Sequence, residues 1–128
     1  MIDEIGLKIL KILQKKARIP NVEVARQVGM APSAVLERIR KLEKNGYIDG
    51  YEVRLKPRRF NRNQVAFVMV TPLPKADMDM VGDQLSKIQE IQEVHHVAGE
   101  DAFMIKARVK DTHELGRLVR EHVLSVNG

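Results

Sequence analysis

Apolar residues recur at helical spacing three times in the N-terminal third of the chain. Ile5, Ile9, Ile12 and Leu13 fall at i, i+4, i+7 and i+8 behind Asp3, a residue suited to cap the first turn. That spacing predicts a helix ending near Ala17, with Lys8, Lys11, Lys15 and Lys16 largely on its other faces. Asn21 then reads as the N-cap of a short helix over 22–28, with Val24, Ala25 and Val28 as its stripe and Gly29 as its stop. Pro32 opens a third helix to about residue 44, where proline gives up an N–H that has no intrahelical partner. Val35, Ile39 and Leu42 face inward along it, and Asn45-Gly46 ends it. Residues 47–55, Tyr-Ile-Asp-Gly-Tyr-Glu-Val-Arg-Leu, predict two short strands about an Asp49-Gly50 turn.

The remainder alternates differently. After a polar stretch at 57–63 come a strand at 65–71, a helix at 77–89 with Val81, Leu85 and Ile88 on one face, and a strand at 92–97. A Gly99-Glu100-Asp101 turn leads into a strand at 102–109, followed by a helix at 112–124 with Leu115, Leu118, Val119 and Leu124 available for burial. The fold class expected is α+β. A winged helix-turn-helix domain over 1–56 and a linker over 57–63 are expected to precede a ferredoxin-like β-α-β-β-α module over 64–128, in which the final strand of the plan is not expected. The apolar first strand, 64–70, would then keep an open edge. A partner subunit is expected to cover that edge, unless the chain is a shortened form of a longer protein.

Charge sharpens this division. Residues 1–60 hold 14 Lys and Arg against 7 Asp and Glu, whereas residues 61–128 hold 8 against 10. A basic half joined to a mildly acidic one suits a polyanion-binding module, with double-stranded DNA the expected partner, although a merely solvated basic surface would show the same charge. No run approaches the roughly 18 apolar residues of a membrane span, and Asp3 and Glu4 stand where a signal peptide would be basic, so a cytoplasmic protein without a membrane partner is expected. The lack of cysteine removes disulfides, thiolate metal sites and thiol nucleophiles.

The first helix of a helix-turn-helix crosses the DNA backbone while the second enters the major groove, which demands a tight turn and close helix packing. Ala25 is small where the helices approach and Gly29 supplies the turn. The expected outer side of the third helix presents Ser33, Ala34, Glu37, Arg38, Lys41 and Lys44, with Arg40 lateral and Arg54 on the following hairpin. Arginine and lysine read guanine edges and neutralise phosphates, and Ser33 and Ala34 permit close approach. Asn21, with the free amides of Val22 and Glu23, adds a phosphate-binding helix start. Any basic amphipathic helix carries such charges; the caps, turn and stop around this one favour a DNA role.

An enzyme is the first rival, since ferredoxin-like modules host many chemistries. Its only candidate cluster is Glu93, His95, His96 and Glu100. Strand alternation places Glu93 and His95 on one face and His96 on the other, which argues against a shared metal ion, and His113 and His122 do not share a helix face. No catalytic group, metal or cofactor is therefore expected. An assembly or ligand-binding protein without a DNA role is the second rival.

The segments Ile-Asp-Glu-Ile-Gly-Leu-Lys-Ile-Leu at 2–10, Asn-Val-Glu-Val-Ala-Arg-Gln-Val-Gly-Met-Ala-Pro-Ser-Ala-Val at 21–35 and Arg-Ile-Arg-Lys-Leu-Glu-Lys-Asn-Gly-Tyr-Ile-Asp-Gly-Tyr at 38–51 closely resemble the Lrp/AsnC family of transcription regulators. The second half, including residues 95–99 and 106–111, resembles the family's module for amino-acid response and dimerisation. The resemblance implies a homodimer, often built into octamers, that binds operator DNA and takes a small-molecule effector around Gly99, Glu100 and Asp101. Two positions depart from the pattern. Amino-acid-binding members commonly read Gly-x-Tyr/Phe-Asp where this chain reads Gly99-Glu100-Asp101-Ala102, which displaces the carboxylate by one position, so simple amino acids are expected to bind weakly or not at all. Ala31 replaces the usual serine before Pro32, removing a side-chain cap worth about 1 kcal/mol.

Overall fold

The computed structural model describes every residue except Asp101. The chain forms two compact units, Met1–Arg54 and Leu55–Gly128.

Three helices build the first unit: α1 (Glu4–Lys15), α2 (Asn21–Val28) and α3 (Pro32–Lys44). Asp3 caps α1 as its chemistry predicts, accepting the Gly6 amide at 2.8 Å. The start of α2 differs from expectation. Pro20, not Asn21, is the cap residue, and its carbonyl accepts the amides of Glu23 and Val24 at 3.0 and 3.2 Å. Asn21 is thus already helical, and the Glu23 amide, expected to be free for phosphate, is used within the turn. Gly29 closes α2 in the left-handed region at φ 69°, which lets Met30 donate to the Ala25 carbonyl and turns the chain toward α3. Ile9, Val24, Ala25, Val35, Ile39 and Leu42 bury one another between the three helices, as their periodicity requires.

The hairpin expected over 47–55 is not formed; the segment carries no strand. The amides of Tyr47 and Ile48 donate to the Leu42 carbonyl at 2.9 and 3.1 Å, so the C-terminal turn of α3 consumes groups that a ladder would need. Ile48 packs against the helical core, Tyr51 donates to Glu43 at 3.2 Å, and Val53 and Leu55 stay exposed.

The second unit opens with a 3-10 turn at Pro57–Phe60, inside the stretch expected to be a polar linker. Strands β1 (Gln64–Val70), β2 (Ile91–His96) and β3 (Phe103–Val109) form an antiparallel sheet in the order β1-β3-β2, joined with α4 (Met78–Ser86) and α5 (Thr112–Leu118). Asp77 and Asp111 cap the two helices, accepting the amides of Met80 and Glu114. α4 ends three residues earlier than expected, where Lys87 and Ile88 make tighter bonds to the Gln84 and Leu85 carbonyls.

The last helix also departs from its expected course. Beyond Leu118 it widens into a π turn, Val119–Val123, and the Leu124 amide donates to the Val119 carbonyl. Widening the turn rotates later side chains, so Val123 is buried and Leu124, expected inside, is 74% exposed. Phe103, Ile105, Ala107 and Val109 of β3 pack with Val81, Leu85, Ile91, Leu118 and Val123. The opposite sheet face carries Val65, Phe67 and Met69, which pair with Arg108, Lys106 and Met104. β1 lies at the sheet edge, as the strand order predicts.

Candidate nucleic-acid interface

The outer surface of α3 is set by what its inner surface buries. With Val35, Ile39 and Leu42 fixed in the core, Ser33, Glu37, Arg40, Lys41 and Lys44 are exposed and Ala34 is half-buried. Among the described residues, Arg40, Lys41 and Lys44 form no ion pair, so their charges face solvent undiminished.

Arg38 and Arg40 exchange the places that the sequence suggests for them. Arg38 follows Val35 by three positions and precedes Leu42 by four, and so borders the buried stripe. There it meets Asp3: its Nη1 donates to both carboxylate oxygens, at 2.8 and 3.0 Å. The Arg38 bond first, and the Gly6 amide second, hold the Asp3 carboxyl below its ordinary range. The cap of α1 therefore also anchors the side of α3. Nothing local in the sequence links residues 35 positions apart.

At the start of α2, Val22 is exposed and Asn21 half-buried. Glu23, one residue on, pairs with Arg26 and accepts from Gln27, and these contacts, Arg26 foremost, pull its carboxyl down to about 2. Arg54 is exposed at the end of the first unit, on the segment expected to be a wing strand. Between that segment and α1 lies a groove of about 570 Å³, lined by Leu7, Leu10, Leu13, Tyr47, Ile48 and Tyr51 among others.

In the second unit, Gly99 and Glu100 are exposed on the turn between β2 and β3, which the Val97 amide closes by donating to Ala102 at 2.7 Å. Asp101, the third expected effector residue, lies outside the described residues. Ala102 adopts a left-handed φ of 64°. Glu93 and His95 share a sheet face and bond at 2.9 Å, with Lys106 at 3.5 Å from Glu93, while His96 points the other way and stacks on Phe103. Among the described residues, no three metal-binding side chains gather, and no helix is long and apolar enough to cross a membrane.

Residues 2–49 match the model of a winged helix-turn-helix DNA-binding domain, and residues 65–128 match the Lrp/AsnC ligand-binding domain. Leucine-responsive regulatory proteins of Klebsiella pneumoniae and Escherichia coli K12 are 36% identical over 129 residues, covering 99% of this chain and 79% of theirs. Among solved structures, a Neisseria meningitidis transcriptional regulator in complex with L-methionine superposes with a TM-score of 0.90 at 28% identity, over 98% of this chain and 82% of that one. The leucine response regulatory protein LrpA of Mycobacterium tuberculosis reaches 0.81 at 30% identity, over 98% and 86%.

Proposed function

The chain belongs to the Lrp/AsnC family and is a DNA-binding transcription regulator with a ligand-binding unit; from that premise we propose that α3 is its recognition helix. In this reading Ser33, Ala34, Glu37, Arg40, Lys41 and Lys44 face the major groove, Arg38 reaches it from the edge of the same face by leaving Asp3, and Asn21 and Val22 at the start of α2 approach phosphates. Arg54 adds a flanking backbone contact. The observation that carries the reading is the unpaired basic row on α3, opposite a buried apolar stripe. Phosphate contacts release counterions, so affinity falls with salt in proportion to their number. Lys41→Ala is expected to reduce the slope of log affinity against log salt by about 1 and to weaken binding about equally across sequences. An unchanged slope in binding titrations over a salt series would remove Lys41 from the interface.

The chain acts in this proposal as a homodimer, built into larger assemblies such as octamers, and not as an enzyme. Support comes from the sheet face away from the helices, where Phe67 and Met69 are 60% and 48% exposed beside Val65. Paired copies would place two recognition helices about 34 Å apart, on successive major-groove turns. A monomer in light scattering at micromolar concentration would overturn this. Gly99, Glu100 and Asp101 are the proposed effector contacts, with simple amino acids weak ligands; the ligand-binding domain match and the open turn support that location, and calorimetry with an amino-acid panel tests it.

A further inference from the structure

The sheet face that carries Val65, Phe67 and Met69 on β1 is not apolar throughout. Its far edge, β2, is aimed by a bulge. Ile91 and Val94 both pack on the core, which regular strand alternation forbids for residues three apart. The irregularity between Ile91 and Glu93 sets Glu93 opposite Lys106 and His95 opposite Met104. An unbroken ladder from the Ile91–Ala107 pair would instead set His95 opposite Phe103, on the core side. The one extra residue thus delivers a histidine and a carboxylate to the face away from the helices.

Glu93 serves two neighbours there. Its Oε2 accepts from His95 Nε2 at 2.9 Å, and its Oε1 lies 3.5 Å from Lys106 Nζ. With Nε2 donating, the neutral ring keeps Nδ1 for a second proton. The His95 bond first, and the Lys106 charge second, hold the Glu93 carboxyl below its ordinary range, so it stays ionised where histidines titrate. β3 adds Arg108 beside Val65, while β1 presents only Val65, Phe67 and Met69 on this side. On the turn beyond β2, Glu100 is exposed and forms no ion pair among the described residues. The strands therefore set one carboxylate against Lys106 and Arg108, and a protonated His95 adds a third cation.

We infer that His95 makes self-association through this face depend on pH, two copies binding with the ring neutral and separating when acid charges it. The inference rests on the homodimer proposed above. An isologous contact brings the same face from both copies, so each added charge is met by its twin. Burial disfavours the charged imidazole, and a carboxylate already shared with Lys106 does not offset a further cation on each side. Association therefore sheds protons, and the dissociation constant rises as the pH falls through the range in which histidine titrates.

Sedimentation of the full chain in dilution series, without DNA, at about pH 8 and about pH 5.5 tests it. The dissociation constant of the unmodified chain is expected to rise at least about tenfold at the lower pH. In His95→Gln the two constants should be nearly equal, whatever their absolute size. Phe67→Glu separates premise from inference, because it should abolish association at both pH values if this face is the contact. A chain that is monomeric throughout, or dimers indifferent to Phe67→Glu, would overturn the premise and the inference with it. Association that Phe67→Glu abolishes but pH leaves unchanged, or an undiminished pH response in His95→Gln, would overturn the inference alone. NMR of the unmodified chain decides the matter even if a variant folds poorly. The His95 ring should titrate at lower pH as rising concentration populates the dimer, and a midpoint indifferent to concentration would overturn the inference.

Discussion

α3 and β3 bury the positions that their periodicity assigns inward, Val35, Ile39 and Leu42 in one and Phe103, Ile105, Ala107 and Val109 in the other, but their outer faces differ in kind. Behind α3 stand solvated, unpaired cations. Across the sheet from β3's buried row stand Val65, Phe67, Met69 and Met104, with Glu93, His95 and Lys106 tied to one another beside them. A face of unpaired cations gains little from an apolar partner and much from a polyanion, whereas an apolar sheet face gains by excluding water against another protein surface. The same rule of one-sided burial thus prepares the two units for different partners.

The largest expected effect tests whether the units have separate cores at all. Leu85→Ala removes a fully buried side chain from the second unit and should destabilise it by about 2–5 kcal/mol. Tyr47 and Tyr51 are the only tyrosines and both belong to the first unit. Their fluorescence should therefore keep its urea midpoint while the circular-dichroism transition of the second unit moves to lower urea. A common shift in both would mean that the two cores unfold as one.

Next in size is the division of labour between Arg38 and its partner. If Arg38 leaves Asp3 to read a base, Arg38→Ala should weaken operator binding by about 1–3 kcal/mol. Asp3→Asn keeps a good helix cap and should not weaken it. Equal losses in both variants would assign the pair to holding α1 against α3, and would leave DNA contact to Arg40, Lys41 and Lys44.

Capping offers a smaller contrast. Asp3, Asp77 and Asp111 cap α1, α4 and α5 through their side chains, but α2 and α3 start at Pro20 and Ala31 with no side-chain cap bond. Ala31→Ser should stabilise the first unit by about 1 kcal/mol, measured by the tyrosine-monitored midpoint. No gain would indicate that the α3 amides are already satisfied by other means.

The smallest effect is in acid. Asp3 and Glu23 both have depressed carboxyl pKa values, set chiefly by Arg38 and Arg26. Their contribution to the first unit is complete above the unfolded-state value of Glu23, 4.5, and is lost as the pH falls toward about 2. Both groups are exposed, so the loss should be slight and further reduced by salt. Glu23→Gln should flatten the decline in the tyrosine midpoint across that window; an identical decline in the variant would assign it to other carboxylates.

Most of the helix-turn-helix was legible in the sequence because its determinants are local. Asp3, Gly29, Pro32 and Asn45-Gly46 act within a turn or two of the chain, and the inward stripes follow from 3.6-residue periodicity. Period-two alternation likewise located the three strands, and their β-α-β-β-α order was readable as a ferredoxin-like plan. Tertiary structure alone decided the rest: the Asp3–Arg38 pair, the unformed hairpin after α3, the bulge between Ile91 and Glu93, and the π turn that turned Leu124 outward. In each case a side chain or backbone group had alternatives of similar local cost. Which one prevailed depended on neighbours brought close only by packing, and no spacing along the chain records that distance.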